Sequence, residues 1–247
     1  MEQKPPRYAV YYVPEQGTDL ARRASSLVAR DIHTGSPLAQ PRFDGVAPDE
    51  LSAMTRDARR YGPHATLKPP FFLKPGLTEE NLVQAADEFA GTRAPLPLPA
   101  LGLERIGSFF ALAMRPETEA EEEEAEKVRL LAGDAVSFFD AFRAPPAEEE
   151  LERRRGRGLT PRQEEYLLRW GYPYVFEEFR FHITLTDGIR EPRLAAALEA
   201  ELRRYTAPAV HANGISAVSI CRSGPDGKFT VVHRAEFFMA GHDALSR

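Results

Sequence analysis

The chain has 247 residues and a mass of 27.6 kDa, which allows one large domain or two modest lobes. Its composition is that of a soluble globular protein, and a net charge of −5 disfavours binding along the phosphate backbone of long nucleic acids. No apolar run of about 20 residues and no cationic leader is visible, so neither a membrane span nor a secretory signal is predicted. Cys221 is the one cysteine, which rules out an internal disulfide and fits a reducing compartment. A cytoplasmic protein is therefore predicted.

The predicted elements occur twice in the same order. A strand over 7–13 and helices near 20–31 and 51–60 come first. Two segments, HATL at 64–67 and HITL at 182–185, then each begin a copy of the same pattern. In each copy this His-x-Thr strand is followed by a helix and two strand-like runs. In the first copy the helix is predicted at 78–90 and the strand-like runs at 95–106 and 108–114. In the second copy the helix is predicted at 192–205 and the runs at 214–222 and 228–238. A two-fold repeat of this size predicts two similar lobes.

Other material separates the two copies. The glutamate-rich segment 117–126 begins a predicted helix whose apolar stripe continues to Phe142. Residues 143–176 are interpreted as an insertion with helices around 147–155 and 160–169. Whether this insertion acts as a lid stays open.

The two His-x-Thr segments are the strongest functional signal. Side chains two residues apart in a strand share a face, so His64 lies beside Thr66 and His182 beside Thr184. One such pair is typical of a half-buried structural histidine. Two pairs, each opening the same sub-pattern, favour function.

Further polar side chains extend both stripes. Lys68 continues the first, and Arg180 and Thr186 continue the second within a sharp alternation over 179–186. Polar side chains on a central strand are costly unless they face a wet cleft, so we expect a cleft there. Two imidazoles can serve as general base and general acid near neutral pH, while hydroxyls and a cation hold phosphate oxygens. The pattern predicts metal-free cleavage of a phosphodiester, without indicating which histidine is the base.

Other candidates each have two readings. A basic cluster beside several glutamates consists of Arg153, Arg154, Arg155 and Arg157. It forms either a solvated, salt-bridged helix or a lid or clamp for a substrate 5-phosphate. Trp170, Tyr172 and Tyr174 either stack on a base or sugar or dock the insertion onto the core. Tyr11 or Tyr12 lines the cleft, depending on which face of the first strand is wet. No metal is predicted, because the remaining histidines lack ligand spacing.

These segments resemble the two-histidine (2H) phosphoesterase superfamily, whose signature is two HxT/S motifs. The chain is most similar to a bacterial branch of phosphonate-metabolism proteins, through RYAVYYVP at 7–14, YGPHATLKPPF at 61–71, FRAPP at 142–146, LTPRQEEYLLRWGYPYV at 159–175 and FRFHITLT at 179–186. The resemblance implies catalysis by His64 and His182, with Thr66 and Thr184 binding phosphate. Lys68 and Arg180 are added as phosphate binders, and Tyr11, Thr186, Tyr172 and Tyr174 as residues that line the substrate.

The resemblance also implies an α+β fold with two pseudo-symmetric lobes, each an antiparallel sheet with outer helices, around a central cleft. We expect a single bilobal domain over 1–247, with repeats at about 61–142 and 177–238 and the insertion at 143–176. The implied substrate is a small ribose-type cyclic phosphodiester such as phosphoribosyl 1,2-cyclic phosphate, opened without a cofactor. The alternatives are an RNA 2′,3′-cyclic phosphodiesterase or 2′–5′ RNA ligase-like enzyme, and a non-catalytic protein that binds a phosphorylated metabolite. Neither a membrane nor a long nucleic acid is an expected partner, and the oligomeric state stays open.

Overall fold

The protein has an α+β fold with antiparallel sheets, seen in a computed structural model that describes residues 5–156, 158–211 and 213–238. The strands within these ranges are β1 (Tyr8–Tyr12), β2 (Ala65–Phe71), β3 (Leu96–Leu98), β4 (Leu101–Ile106), β5 (Phe109–Met114), β6 (His182–Thr184), β7 (Asn213–Ile215), β8 (Ala217–Ser223) and β9 (Phe229–Glu236). The α-helices are α1 (Asp19–Leu27), α2 (Pro48–Met54), α3 (Arg56–Tyr61), α4 (Glu79–Gly91), α5 (Glu119–Phe139), α6 (Glu148–Arg155), α7 (Pro161–Trp170) and α8 (Pro192–Thr206).

The sheets exchange strands between the two sequence copies. One sheet has the order β2-β1-β8-β9, a second has the order β4-β5-β6, and β3 pairs with β7. The His-x-Thr strand of the first copy, β2, therefore shares a sheet with the last two strands of the second copy. Conversely, the His-x-Thr strand of the second copy, β6, pairs with β5 of the first. Each sheet requires both copies, so the copies do not correspond to separate sheets.

Both His-x-Thr strands are edge strands, which corrects the expectation of a central strand. β2 ends the four-stranded sheet, β6 ends the three-stranded sheet, and the two strands contact each other. The central position beside β2 belongs to β1, whose five residues are all buried. Polar side chains on β2 and β6 are tolerated because these strands meet at a junction between sheets.

The two copies share one hydrophobic core. A contiguous cluster joins buried side chains from both larger sheets with those of α1, α4, α5 and α8. A smaller cluster lies on the opposite face of β1, where Ala9 and Tyr11 meet Cys221 and Phe229. Within the described ranges, no helix is both long and apolar enough to cross a bilayer.

Local backbone geometry shortens one predicted helix and divides another. α1 stops at Leu27 instead of continuing to residue 31, and Ala29 adopts a left-handed conformation with φ of 59° that an α-helix cannot include. The helix predicted over 51–60 is divided into α2 and α3 at Thr55. This division places a separate short helix, α3, immediately before the first His-x-Thr strand.

A β-bulge interrupts the regular alternation of β2. Tyr11 on β1 faces Thr66, whereas the next residue back, Val10, faces Lys68, so Leu67 is an extra residue on β2. A bulge of this kind re-aims the side chains that follow it. The rule that residues two apart share a face therefore fails between Thr66 and Lys68.

Lys68 consequently lies in the core, and its predicted role as a phosphate binder is wrong. Its side chain is fully buried, and its ammonium donates to the Val136 carbonyl at 2.9 Å and to Asp140 at 2.7 Å. Burial lowers the pKa of Lys68 to about 8, and the hydrogen bond from Lys68 to Asp140 opposes that shift. Asp140 also accepts from Arg143 at 2.7 Å. This ion pair fixes β2 to the C-terminal end of α5.

Replacing Asp140 with asparagine is expected to lower the free energy of unfolding by about 3 kcal/mol, because the buried Lys68 ammonium loses its counter-charge. Lys68→Met is the matched variant, since it removes the buried charge and keeps the length of the side chain. Its loss should stay below about 1 kcal/mol. Urea unfolding at pH 7 measures both variants, and a larger loss for Lys68→Met than for Asp140→Asn would contradict this assignment.

Candidate active site

A cavity of about 680 Å³ lies where β2 and β6 meet, and both His-x-Thr pairs line it. His64 and Thr66 come from the β2 side, and His182 and Thr184 come from β6. The other predicted site residues that line it are Tyr11, Tyr172, Tyr174, Arg180 and Thr186. Lys68 is not among the lining residues.

The two imidazoles are held in the same way. Nδ1 of His64 lies 2.8 Å from the Gly62 carbonyl oxygen, and Nδ1 of His182 lies 2.8 Å from the Arg180 carbonyl oxygen. Because a carbonyl can only accept, Nδ1 must carry the proton in both rings. Nε2 is then the acceptor of each neutral ring, and the same carbonyl stabilises the ring when Nε2 is protonated.

The surroundings of both histidines favour the neutral ring. Burial and the neighbouring His182 lower the pKa of His64 to about 4, against the opposing hydrogen bond to Gly62. Burial also lowers the pKa of His182, as does the positive charge of Arg180. An anion bound between the rings would favour the protonated form of either one.

Aromatic rings fix the positions of the imidazoles. The Tyr11 ring stacks on His64 with centroids 3.9 Å apart and an interplanar angle of 26°. Tyr61 lies 6.1 Å from His64, and Phe109 lies 6.0 Å from His182. Of the two tyrosines predicted for the cleft, Tyr11 is the one that lines it, while Tyr12 belongs to the main core. Sequence reasoning gave neither Tyr61 nor Phe109 a role: Tyr61 ends α3 three residues before His64, and the pairing of β5 with β6 brings Phe109 to His182.

The second polar stripe is shorter than predicted. The strand comprises three residues, because the amides of Leu185 and Thr186 both donate to the Phe110 carbonyl oxygen. The Thr186 side chain is buried, and its hydroxyl accepts from the Phe110 amide at 2.9 Å. Thr186 therefore lines the cavity, as predicted, with its hydroxyl bound to the backbone.

Arg180 lies at the edge of the cavity beside His182. Its guanidinium forms an ion pair with Glu104, which also accepts from Arg115 at 2.9 Å. Arg180 therefore contributes less net positive charge to the cavity than the sequence suggested. A direct role in binding phosphate remains a prediction.

Asp187 joins the loop after β6 to α3. Its carboxylate accepts from the amides of Asp57 and Ala58 at the start of α3, and its own amide donates to the Met54 carbonyl at 2.6 Å. α3 ends at Gly62, the residue whose carbonyl orients His64. The loop after β6 thus supports the segment that positions the opposite histidine.

The insertion borders the cavity through α6 and the segment after α7. Trp170 packs against a buried cluster that includes Val136 of α5, which docks the insertion, whereas Tyr172 and Tyr174 line the cavity. On α6, Arg155 pairs with glutamates away from the cavity, as a solvated helix would, while Arg153 and Arg154 line it. Arg157 lies outside the described residues. In the part of the chain that the structure describes, no group of three or more His, Cys, Asp or Glu side chains is arranged to hold a metal ion.

A comparison with protein families matches residues 66–230 to a model described as "Protein of unknown function (DUF1045)". Among curated proteins, a "Ribose 1,5-bisphosphate phosphokinase PhnN" of Janthinobacterium sp. (strain Marseille) is 39% identical over 183 residues, covering 74% of this chain and 39% of the relative. A protein of the same name from Laribacter hongkongensis (strain HLHK9) is 34% identical over 186 residues, covering 75% of this chain and 41% of the relative. The chain thus spans about two fifths of the length of these relatives.

Among solved structures, Escherichia coli LigT complexed with 3′-AMP aligns with a TM-score of 0.35 and 15% identity. The alignment covers 96% of this chain and 100% of LigT.

Protonation of His64 is expected to destabilise the fold. The ring titrates near pH 6.5 when unfolded and near 4 when folded, so the unfolded state binds more protons between these values. The free energy of unfolding should therefore fall as the pH drops through this window, by about 2.5 kcal/mol between pH 7 and pH 4.5.

Urea unfolding of wild type and His64→Asn at the two pH values measures this contribution. The variant should lose less stability on acidification by about that amount, whereas His211→Asn, at an exposed histidine, should behave as wild type. An identical pH dependence in His64→Asn would contradict the burial of a neutral ring.

Proposed function

We propose that this chain, which belongs to the DUF1045 family and whose two His-x-Thr segments resemble those of 2H phosphoesterases, hydrolyses a small ribose-type cyclic phosphodiester with His64 and His182 as general base and general acid. One observation carries this proposal. Two imidazoles, each with Nδ1 held by a carbonyl and each beside a threonine, line a single cavity. A protein that only bound phosphate would not require this matched pair of proton carriers.

The reaction needs one proton taken and one proton given. A water oxygen attacks phosphorus while one histidine Nε2 accepts its proton, and the bond from phosphorus to the ring oxygen on the opposite side breaks. The second histidine donates its Nε2 proton to that leaving oxygen, and a phosphate monoester remains. The hydroxyls of Thr66 and Thr184 donate to the non-bridging oxygens of the phosphate. The atoms and protons of this reaction balance without a metal or cofactor.

The substrate class is inferred from the relatives and from the phosphonate-metabolism resemblance. The curated relatives carry the name of a kinase that acts on ribose 1,5-bisphosphate, and this chain matches only two fifths of their length. The present sequence contains no G-x-x-x-x-G-K-[ST] phosphate loop, so we assign the kinase activity of the relatives to their unmatched part. A phosphoesterase on the same polypeptide as a ribose-phosphate kinase favours a related ribose phosphate, such as phosphoribosyl 1,2-cyclic phosphate.

Phosphorus NMR of EDTA-treated protein with phosphoribosyl 1,2-cyclic phosphate and, in parallel, a nucleoside 2′,3′-cyclic phosphate tests the proposal. We expect opening of the first ring in the presence of EDTA, and a loss of at least about 100-fold in His64→Ala and in His182→Ala. His211→Ala, at an exposed position, is the matched control and should retain turnover. Circular dichroism shows that each variant is folded.

Each alternative has its own outcome in this experiment. Opening of only the nucleoside ring would reassign the protein to the processing of RNA ends. Binding of phosphate esters without opening of either ring would favour a non-catalytic protein that binds a phosphorylated metabolite.

The dependence of kcat/KM on pH is a second test. This parameter reports the free enzyme, in which the acidic histidine must carry a proton although burial has lowered the pKa of both rings. We therefore expect kcat/KM to be highest below pH 6.5 and to fall about tenfold per pH unit above it. Initial rates between pH 5 and 8.5 measure this decrease in kcat/KM. An optimum above pH 8 would contradict the assignment of the acid to either histidine.

A further inference from the structure

The arginines that line the cavity differ in how far carboxylates neutralise them. Beside His182, Arg180 is paired with Glu104. The same lining includes Arg7, which precedes β1, and Arg153 and Arg154, which lie on α6.

Arg7 immediately precedes β1 and has no counter-charge. Among the described residues, no side chain or carbonyl forms a hydrogen bond or ion pair with its guanidinium. The guanidinium lies 5.6 Å from the centroid of the Phe229 ring, which in turn lies 6.1 Å from the Tyr11 ring that stacks on His64. Burial raises the pKa of Tyr11, and the charge of Arg7 opposes that rise, which is consistent with a guanidinium near the Tyr11 hydroxyl.

The two α6 arginines share a single carboxylate. Glu150 lies 2.7 Å from Arg154 and 3.8 Å from Arg153, so the pair keeps about one net positive charge. Nε of Arg154 is buried without a hydrogen-bond partner among the described residues. The Arg154 guanidinium lies 4.9 Å from the centroid of the Tyr172 ring, which lines the same cavity.

The carboxylates of the cavity lining are engaged elsewhere. Asp187 accepts from the first amides of α3, and Glu178 accepts from Gln163 at 2.8 Å. Asp57 lies at the start of α3, 3.9 Å from Arg60. Arg7, Arg153 and Arg154 together with Glu150, the carboxylate that pairs with two of them, carry a net charge of two, about that of a phosphate monoester near neutral pH.

We propose that Arg7, Arg153 and Arg154 bind a terminal phosphate monoester of the substrate, while the two histidines act on its cyclic diester. This inference rests on the proposed function and deepens it, because it assigns the orientation of the substrate. The monoester lies toward Arg7 and α6, and the diester lies between the imidazoles. Guanidinium groups bind phosphate through paired N–H donors, so they provide both charge and direction.

The test compares two substrates that differ only in this phosphate: ribose 1,2-cyclic phosphate with a 5-phosphate and the same ring with a 5-hydroxyl. The ratio of their kcat/KM values isolates the contribution of the monoester from general damage to the site. We expect wild type to prefer the phosphorylated ring by about 100-fold or more, and Arg7→Ala to lower the ratio about 10- to 100-fold. The double variant Arg153→Ala/Arg154→Ala should lower it similarly, whereas Arg7→Lys should retain part of the preference.

Arg155→Ala is the matched control, because Arg155 lies on α6 but pairs with Glu148 and Glu164 instead of lining the cavity. Its ratio should equal that of wild type. A wild-type ratio near one would overturn this inference, as would a ratio that is unchanged in both Arg7→Ala and the double variant. In either case, hydrolysis of both rings would still support the proposed function.

Calorimetry with ribose 5-phosphate and with ribose provides a readout that does not depend on turnover. Ribose 5-phosphate should bind more tightly than ribose, and Arg7→Ala should weaken its binding at least tenfold. If neither ring were opened, the proposed function would fail, and this measurement would still decide the phosphate site. Equal binding of ribose and ribose 5-phosphate would overturn it.

Discussion

The bond from each imidazole Nδ1 to the carbonyl two residues before it is the constraint on which the site depends. It fixes the tautomer of His64 and His182, and it leaves Nε2 of each ring as the atom that exchanges a proton. The carbonyls are themselves positioned by longer-range contacts, because Gly62 ends the helix α3 whose first amides are bound by Asp187. The loop after β6 in the second copy thus contributes to the geometry of His64 in the first.

Periodicity was sufficient to predict which side chains share a face wherever a strand is regular. The pairs His64 with Thr66 and His182 with Thr184 do line one cavity, and the α+β fold agrees with the order of the predicted elements. The same rule failed at Lys68, because a single extra residue in β2 places its ammonium in the core beside Asp140. No local pattern in the sequence marks that bulge.

The remaining features arise from strand pairing, which a single sequence does not reveal. β2 and β6 are edge strands, and they meet because each sheet combines strands from both copies. The same pairing places Phe109 beside His182 and brings Arg7 to the lining of the same cavity, although neither belongs to a His-x-Thr segment. The sequence does contain one signal for Arg7. A charged residue directly before a fully buried strand has to lie at the end of the sheet.

The exchange of strands between the copies also sets an order of events during synthesis. Tyr8 in β1 pairs with Arg222 in β8, so the four-stranded sheet cannot close until most of the chain has left the ribosome. Until then β1, whose residues are all apolar or aromatic, has no permanent partner on one side. Contacts between residues so distant in sequence slow folding and expose unpaired strands to aggregation. The cavity, whose lining includes Tyr11 of β1 and His182 of β6, is therefore among the last features of the fold to form.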